Sequence, residues 1–230
     1  MKKETTDFFT QELAERYDDR NSKLAPISEN LHFLIRKVLE ELPEKAKVLS
    51  VGAGTGVDII SLAKAYSDWT FVAVEPSLAM LNVCRQRIEE AGLTHRCEFV
   101  HGYSQDVSAQ ENFDAVLSIL VAHFVESSDR LNFYKSLVRH LKKGGILVNA
   151  EICYDLESKN FPLMLTNWKA IQKMMGATPE SLASLPKQLK EMLTILPPKE
   201  VESLFVESGI DSPIQFFQAF MISAWYGIKH

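Results

Sequence analysis

One stretch constrains this chain more than any other: Lys47-Val48-Leu49-Ser50-Val51-Gly52-Ala53-Gly54-Thr55-Gly56-Val57-Asp58. A short apolar run ends in three alternating glycines, and the apolar-periodic Ile59-Ile60-Ser61-Leu62-Ala63 follows at once. That order predicts a buried strand, a tight turn and a helix. Glycine at 52, 54 and 56 permits positive φ and lets a ligand approach bare backbone. The helix start beyond offers unpaired N–H groups. Such a turn suits part of a nucleotide-like cofactor.

The same alternation continues down the chain. Further strands are predicted at Trp69–Val74, Cys97–His101, Phe113–Leu120 and Ile146–Cys153, the fourth apolar enough to be buried on both faces. Between them, one helix runs from the glycine turn to about Tyr66 and another from an N-cap at Ser77 to a stop at Gly92. A third runs from about Ser128 to Leu141, with Lys142-Lys143-Gly144-Gly145 as a basic last turn and glycine cap. Strands alternating with helices imply a parallel sheet with right-handed crossovers. Ahead of this core, helices are expected over residues 7–20 and from Ser28 to Leu42, separated by a loop broken at Pro26. Beyond it, a Leu-, Met- and Lys-rich segment with Pro162, Pro179 and Pro186 predicts short helices, and Lys199–Glu207 one more. Pro213–Phe217 and Met221–Ile228 lie too close for a crossover helix, so they are expected to form an antiparallel hairpin. The whole reads as a single domain over 1–230: a helical cover (1–45), a cofactor-binding half (46–153), a helical cap (154–197), and a final helix and strand pair (198–230).

Composition narrows the function classes. At 230 residues and 46% hydrophobic content the chain can bury a proper core. A net charge of −5 disfavours a nucleic-acid binder that relies on a broad basic field, though a local basic groove is compatible with it. Cys84, Cys97 and Cys153 have no paired metal spacing, so no metal site is expected, and an odd, sparse set fits a reducing compartment. The opening residues carry acids where a signal peptide would be apolar, and no apolar run approaches the roughly 20 residues that span a bilayer. A cytoplasmic protein without a membrane partner, monomeric or homodimeric, is the expectation.

The cofactor is narrowed by two further features. Gly52-x-Gly54-x-Gly56 differs from the G-x-G-x-x-G of dinucleotide folds, and no Gly-Lys-Ser/Thr follows to make a phosphate loop. Glu75 ends the second predicted strand 21 residues past Gly54. A carboxylate there can accept from both ribose hydroxyls of an adenosine, or can simply be a helix-start charge favoured by the dipole.

With Val72-Ala73-Val74-Glu75-Pro76-Ser77, the glycine stretch resembles the first two motifs of the class I S-adenosylmethionine-dependent methyltransferases. Phe113–Ser118 and Leu141–Leu147 resemble two further stretches of that family, so the resemblance covers residues 46–152 in register. It implies an α/β, Rossmann-like doubly wound sheet of seven mostly parallel strands, with the last strand inserted antiparallel between two others. It implies S-adenosylmethionine as cofactor and S-adenosylhomocysteine as product. It places Gly52, Ala53, Gly54 and Gly56 along the methionine and ribose, Glu75 on the ribose, and Pro76 and Met80 on the adenine. The Gly102-Tyr103-Ser104 turn stands where the family has an acidic residue at the adenine amino group. Tyr103 departs from that pattern, leaving Ser104, Gln105 or Asp106 to serve. Leu120 would present its carbonyl, and Tyr17 and Arg20 would close over the site, with Arg20 on the methionine carboxylate.

Methyl transfer from a sulfonium is an in-line displacement, for which a protein chiefly supplies alignment and a dry site. Where the acceptor must lose a proton, the sequence offers His123 beyond the fourth strand, with Glu151 and Tyr154 at the end of the fifth; His123 and Glu151 are the candidate bases. Each has a plain alternative, a packed histidine and a strand-ending carboxylate. Phe161, Met164, Trp168, Met174, Met175 and Met192 either wall an acceptor pocket or pack the cap on itself. The expected activity is methyl transfer to a small molecule. The alternatives are tRNA modification, modification of the cofactor itself, and a cofactor-binding protein without transfer.

Overall fold

The computed structural model describes residues 22–108 and 113–230. The predicted helix over 7–20, with Tyr17 and Arg20, lies outside the described residues. Helix α1, Ala25–Val38, starts a turn earlier than expected. Pro26 sits in its first turn, where the missing N–H costs nothing, so the proline opens the helix instead of breaking the chain.

The core then alternates as the apolar spacing requires: β1 Lys47–Val51, α2 Val57–Ala65, β2 Thr70–Glu75, α3 Leu78–Glu90, β3 Cys97–His101, β4 Phe113–Ile119, α4 Arg130–His140 and β5 Leu141–Ile152. Ser77 caps α3 by accepting from Met80 N. Lys142–Gly145 are not the end of α4. That helix stops at His140, and Leu141 already pairs with Phe113 of β4. Register resumes only at Ala115 with Ile146, so the Lys-Lys-Gly-Gly run is an irregularity within β5. Gly144 takes φ 81° there, and its N–H donates to Lys229 O at 2.7 Å.

The C-terminal part supplies two cap helices, α5 Phe161–Met174 and α6 Pro179–Glu191, then α7 Pro198–Ser208, β6 Ile214–Ala219 and β7 Ile222–Ile228. The sheet order is β3-β2-β1-β4-β5-β7-β6. Strands β1–β5 pair in parallel, and β7 runs antiparallel between β5 and β6. Successive side chains on a strand point to opposite faces, which splits the core in two. Val48, Ala73, Leu117, Val148 and Ala224 meet Leu31, Ile35 and Leu39 of the cover on one face. Leu49, Val72, Val116, Leu147 and Trp225 meet Tyr134, Leu137 and Phe205 on the other. Among the described residues no helix is long and apolar enough to cross a membrane.

Candidate functional site

The parallel order reverses direction between β1 and β4, and ligands of open α/β sheets sit outside the strand carboxyl ends at such a switch point. The glycine turn lies there. Gly52, Gly54 and Gly56 take φ of 68°, 55° and 79°. Gly52 and Ala53 N–H groups both donate to Val74 O, at 2.8 and 3.0 Å, which ties the turn to the end of β2. A Cβ on Gly52 would lie 2.5 Å from Val121 Cγ2, so the turn is packed directly against the segment following β4. Gly54 is open apart from Met80, whose methyl would be 3.6 Å from such a Cβ. Arg87 of α3 clasps the turn from outside, donating to Thr55 Oγ1 at 3.0 Å.

Glu75 is almost fully buried. Its Oε2 accepts from Gly54 N and its Oε1 from Ser77 N, both at 2.9 Å. Burial raises its pKa above the usual carboxylate value, opposed by those two hydrogen bonds and the His101 ring. Each carboxylate oxygen has about two acceptor sites, so one remains on each after the backbone bonds. A vicinal diol fits that pair of acceptors, which is the group a ribose offers. Met80 is buried beside Gly54, and Pro76 follows on the same rim, with its carbonyl 3.0 Å from His101 Nε2.

The third wall departs from expectation. Tyr103 is half exposed, and its N–H donates to Asp106 Oδ2 at 2.8 Å. Asp106 therefore closes its own turn and packs against Gly102. Ser104 points inward: its hydroxyl meets Ser136 Oγ at 2.6 Å and its carbonyl lies 2.8 Å from His140 Nε2. The Ser104 hydroxyl is thus committed to the core.

After β4 comes a strained turn. Leu120 takes φ 59°, a left-handed conformation uncommon for a branched side chain, and its N–H donates to Ala150 O at 2.6 Å. His123 is buried, and its Nδ1 accepts from Ile152 N at 3.3 Å. An accepting Nδ1 carries no proton, so in the neutral ring the proton is on Nε2. Burial, with the Arg130 cation adding to it, holds its pKa down to about 3. In that geometry His123 is a neutral ring with its donor at Nε2, an arrangement that argues against the expected general base. Glu151 is engaged more completely. It is fully buried, ion-paired with Arg130, and accepts from Tyr134 Oη at 2.7 Å and Asn149 Nδ2 at 3.0 Å. Those contacts tie Glu151 into the fold and favour the strand-ending reading over that of a base.

The cap packs mainly on itself and the core. Phe161, Trp168, Ile171, Leu185 and Leu189 are buried, whereas Met174 and Met192 are exposed. Its trailing segment nevertheless reaches the site, where Thr194 N donates to His123 O at 2.8 Å and Tyr154 N to Leu196 O at 3.0 Å. Between that segment and the β4–α4 connection lies an open surface depression, lined in part by Glu126, Leu156, Leu189 and Ile195. The three thiols are held by burial at about 12, too high to serve as nucleophiles. Sequence reasoning missed Val121, Arg87 and Arg130, whose partners are distant in the chain.

A family model described as a methyltransferase domain matches residues 48–145. A carboxy-S-adenosyl-L-methionine synthase of Nautilia profundicola is 23% identical over 80% of this chain and 78% of its own. A ribosomal RNA small subunit methyltransferase G of Mycolicibacterium gilvum is 34% identical, over 50% of this chain and 48% of its own. Among solved structures, an O-methyltransferase family protein from Burkholderia thailandensis superposes with a TM-score of 0.67 at 12% identity, over 94% of this chain. This chain spans 59% of that longer one.

Proposed function

We propose that this chain, which matches a methyltransferase-domain model over residues 48–145, transfers the methyl group of S-adenosylmethionine to a small molecule held beneath its cap. S-adenosylmethionine supplies an electrophilic methyl when bound, which leaves the protein to align the acceptor and exclude water. Gly52, Ala53, Gly54 and Gly56 line the methionine and ribose. Glu75 accepts from the ribose hydroxyls, Pro76 and Met80 cover the adenine, and Gly102, Tyr103 and the Ser104 backbone edge it. Leu120 offers its carbonyl. His123 donates from Nε2 to an acceptor oxygen.

The observation that carries the small-molecule reading is the 2.8 Å hydrogen bond from Thr194 N to His123 O. It fastens the tail of the cap across the segment where an acceptor must approach, which leaves room for a compact substrate and not for an open polymer track. Calorimetry with S-adenosylhomocysteine, followed by incubation of a fractionated cell extract with labelled methyl donor, tests both halves. Label is expected in the low-molecular-weight fraction. Label confined to RNA would overturn the acceptor class, and undetectable cofactor binding would overturn the site.

A second reading has a specific observation behind it. The carboxy-S-adenosyl-L-methionine synthase aligns over most of both chains, whereas the ribosomal RNA enzyme aligns over about half. Modification of the cofactor itself is therefore the nearest competitor. It would show as an altered mass of the recovered sulfonium, with no label passed on.

A further inference from the structure

The buried charge at the foot of the site has no part in the transfer as described so far. Arg130 and Glu151 lie 1% and 0% exposed and form an ion pair. Removing two charges from water costs more than their attraction commonly returns, so apolar replacements of such pairs are often neutral or stabilising. The surrounding network is also imperfect. Arg130 Nε and Asn149 Oδ1 are buried and make no hydrogen bond among the described residues. Fold stability alone gives little reason for this arrangement.

Its other contacts point to a different role. The second arm of the Arg130 guanidinium donates to Ala122 O, in the middle of the turn after β4. Tyr134, one turn further along α4, holds Glu151 from beneath and receives Asn149 Nδ2 at 2.9 Å. The turn is therefore fixed at several points, among them Leu120 N to Ala150 O, Ala122 O to Arg130, His123 Nδ1 to Ile152 N, and His123 O to Thr194 N. A non-glycine residue at φ 59° persists only where surrounding contacts over-determine it. Of these, the Arg130 contact is the one made by a side chain from outside the turn. The turn also abuts Gly52 through Val121, so any shift is passed to the glycine turn.

We infer that Arg130 is a positioning residue: paired with Glu151, it holds the Leu120–Phe124 turn in the strained shape that presents the Leu120 carbonyl to the cofactor and His123 to the acceptor. This rests on the cofactor site proposed above. Arg130 touches neither ligand.

The test separates stability from positioning. Arg130→Met/Glu151→Leu removes both charges and keeps the volume. It is expected to fold with a lowered melting temperature, because Tyr134 Oη and Asn149 Nδ2 lose their carboxylate acceptor, while well below that temperature S-adenosylhomocysteine binds on the order of tenfold to a hundredfold more weakly, the scale of a misplacement near 1 Å. Adding Leu120→Gly, which takes positive φ without strain, is expected to recover part of that affinity. Should the double variant not fold, Arg130→Lys decides, since a lysine cannot bridge Ala122 O and Glu151 together. Its affinity is expected to fall while its circular dichroism stays that of the parent. Unchanged binding in the folded double variant, or in Arg130→Lys, would overturn the inference. Glu75→Ala serves as the reference: if the parent binds and Glu75→Ala does not, the cofactor site stands whatever Arg130 does.

Discussion

At the scale of single residues, Glu75 carries the sharpest expectation. Replacing it with glutamine keeps its shape but turns one acceptor into a donor, and a hydrogen bond to a charged group contributes about 1.5–3 kcal/mol. S-adenosylhomocysteine should therefore bind about ten- to a hundredfold more weakly by calorimetry. Affinity of the parent should also fall as pH drops through the Glu75 pKa. Because burial raises that pKa, the loss begins at a higher pH than for a surface glutamate. His123 gives the opposite kind of signal. Its folded pKa of about 3 lies below the ordinary 6.5, so from 6.5 downward the unfolded chain takes a proton that the folded chain refuses. Stability should fall over that window, and His123→Asn should flatten the urea midpoint against pH in the same range. The glycines and Glu75 were legible in the sequence because turn, strand end and spacing are local. The protonation state of His123 was not, since it depends on Ile152 N, 29 residues away. Likewise Ser104 looked available until Ser136, 32 residues on, was found to hold it.

At the scale of elements, the docking of α1 on α2 is charge-dependent. His32 Nε2 meets Asp58 Oδ1 at 2.7 Å, and Arg36 donates to Ser61 Oγ at 2.7 Å. Burial and the Arg36 charge act against a protonated His32, but the Asp58 hydrogen bond and charge outweigh them and its pKa is raised. The pair's contribution is then complete below pH 6.5 and is lost as pH rises through the raised value. Amide exchange over residues 25–38 should quicken as pH rises above 6.5 beyond its intrinsic acceleration, and His32→Gln should remove the excess. Strand and helix order was readable from apolar period. Lys142–Gly145 was misread because a basic, glycine-ended run serves a helix stop and a strand irregularity equally well. Only the partner strand, through Phe113 with Leu141, distinguishes them.

At the scale of the whole molecule, Trp225 joins the inserted strand to α7 and the core on that face. It is fully buried, and its Nε1 donates to Glu202 Oε1 of α7 at 3.2 Å. Trp225→Ala should cost about 3–5 kcal/mol, seen as a lower denaturant midpoint with an unchanged slope. The insertion of β7 also governs how the chain comes together. Strands β1–β5 are consecutive and can assemble as they leave the ribosome. Until β7 arrives, the Ile146–Ile152 edge of β5 is an open row of backbone donors and acceptors bearing apolar side chains. More than 60 residues of cap, helix and hairpin must be made in that interval. The newborn chain is thus most liable to pair with a stranger just before completion, and the strand that finishes the sheet also protects it.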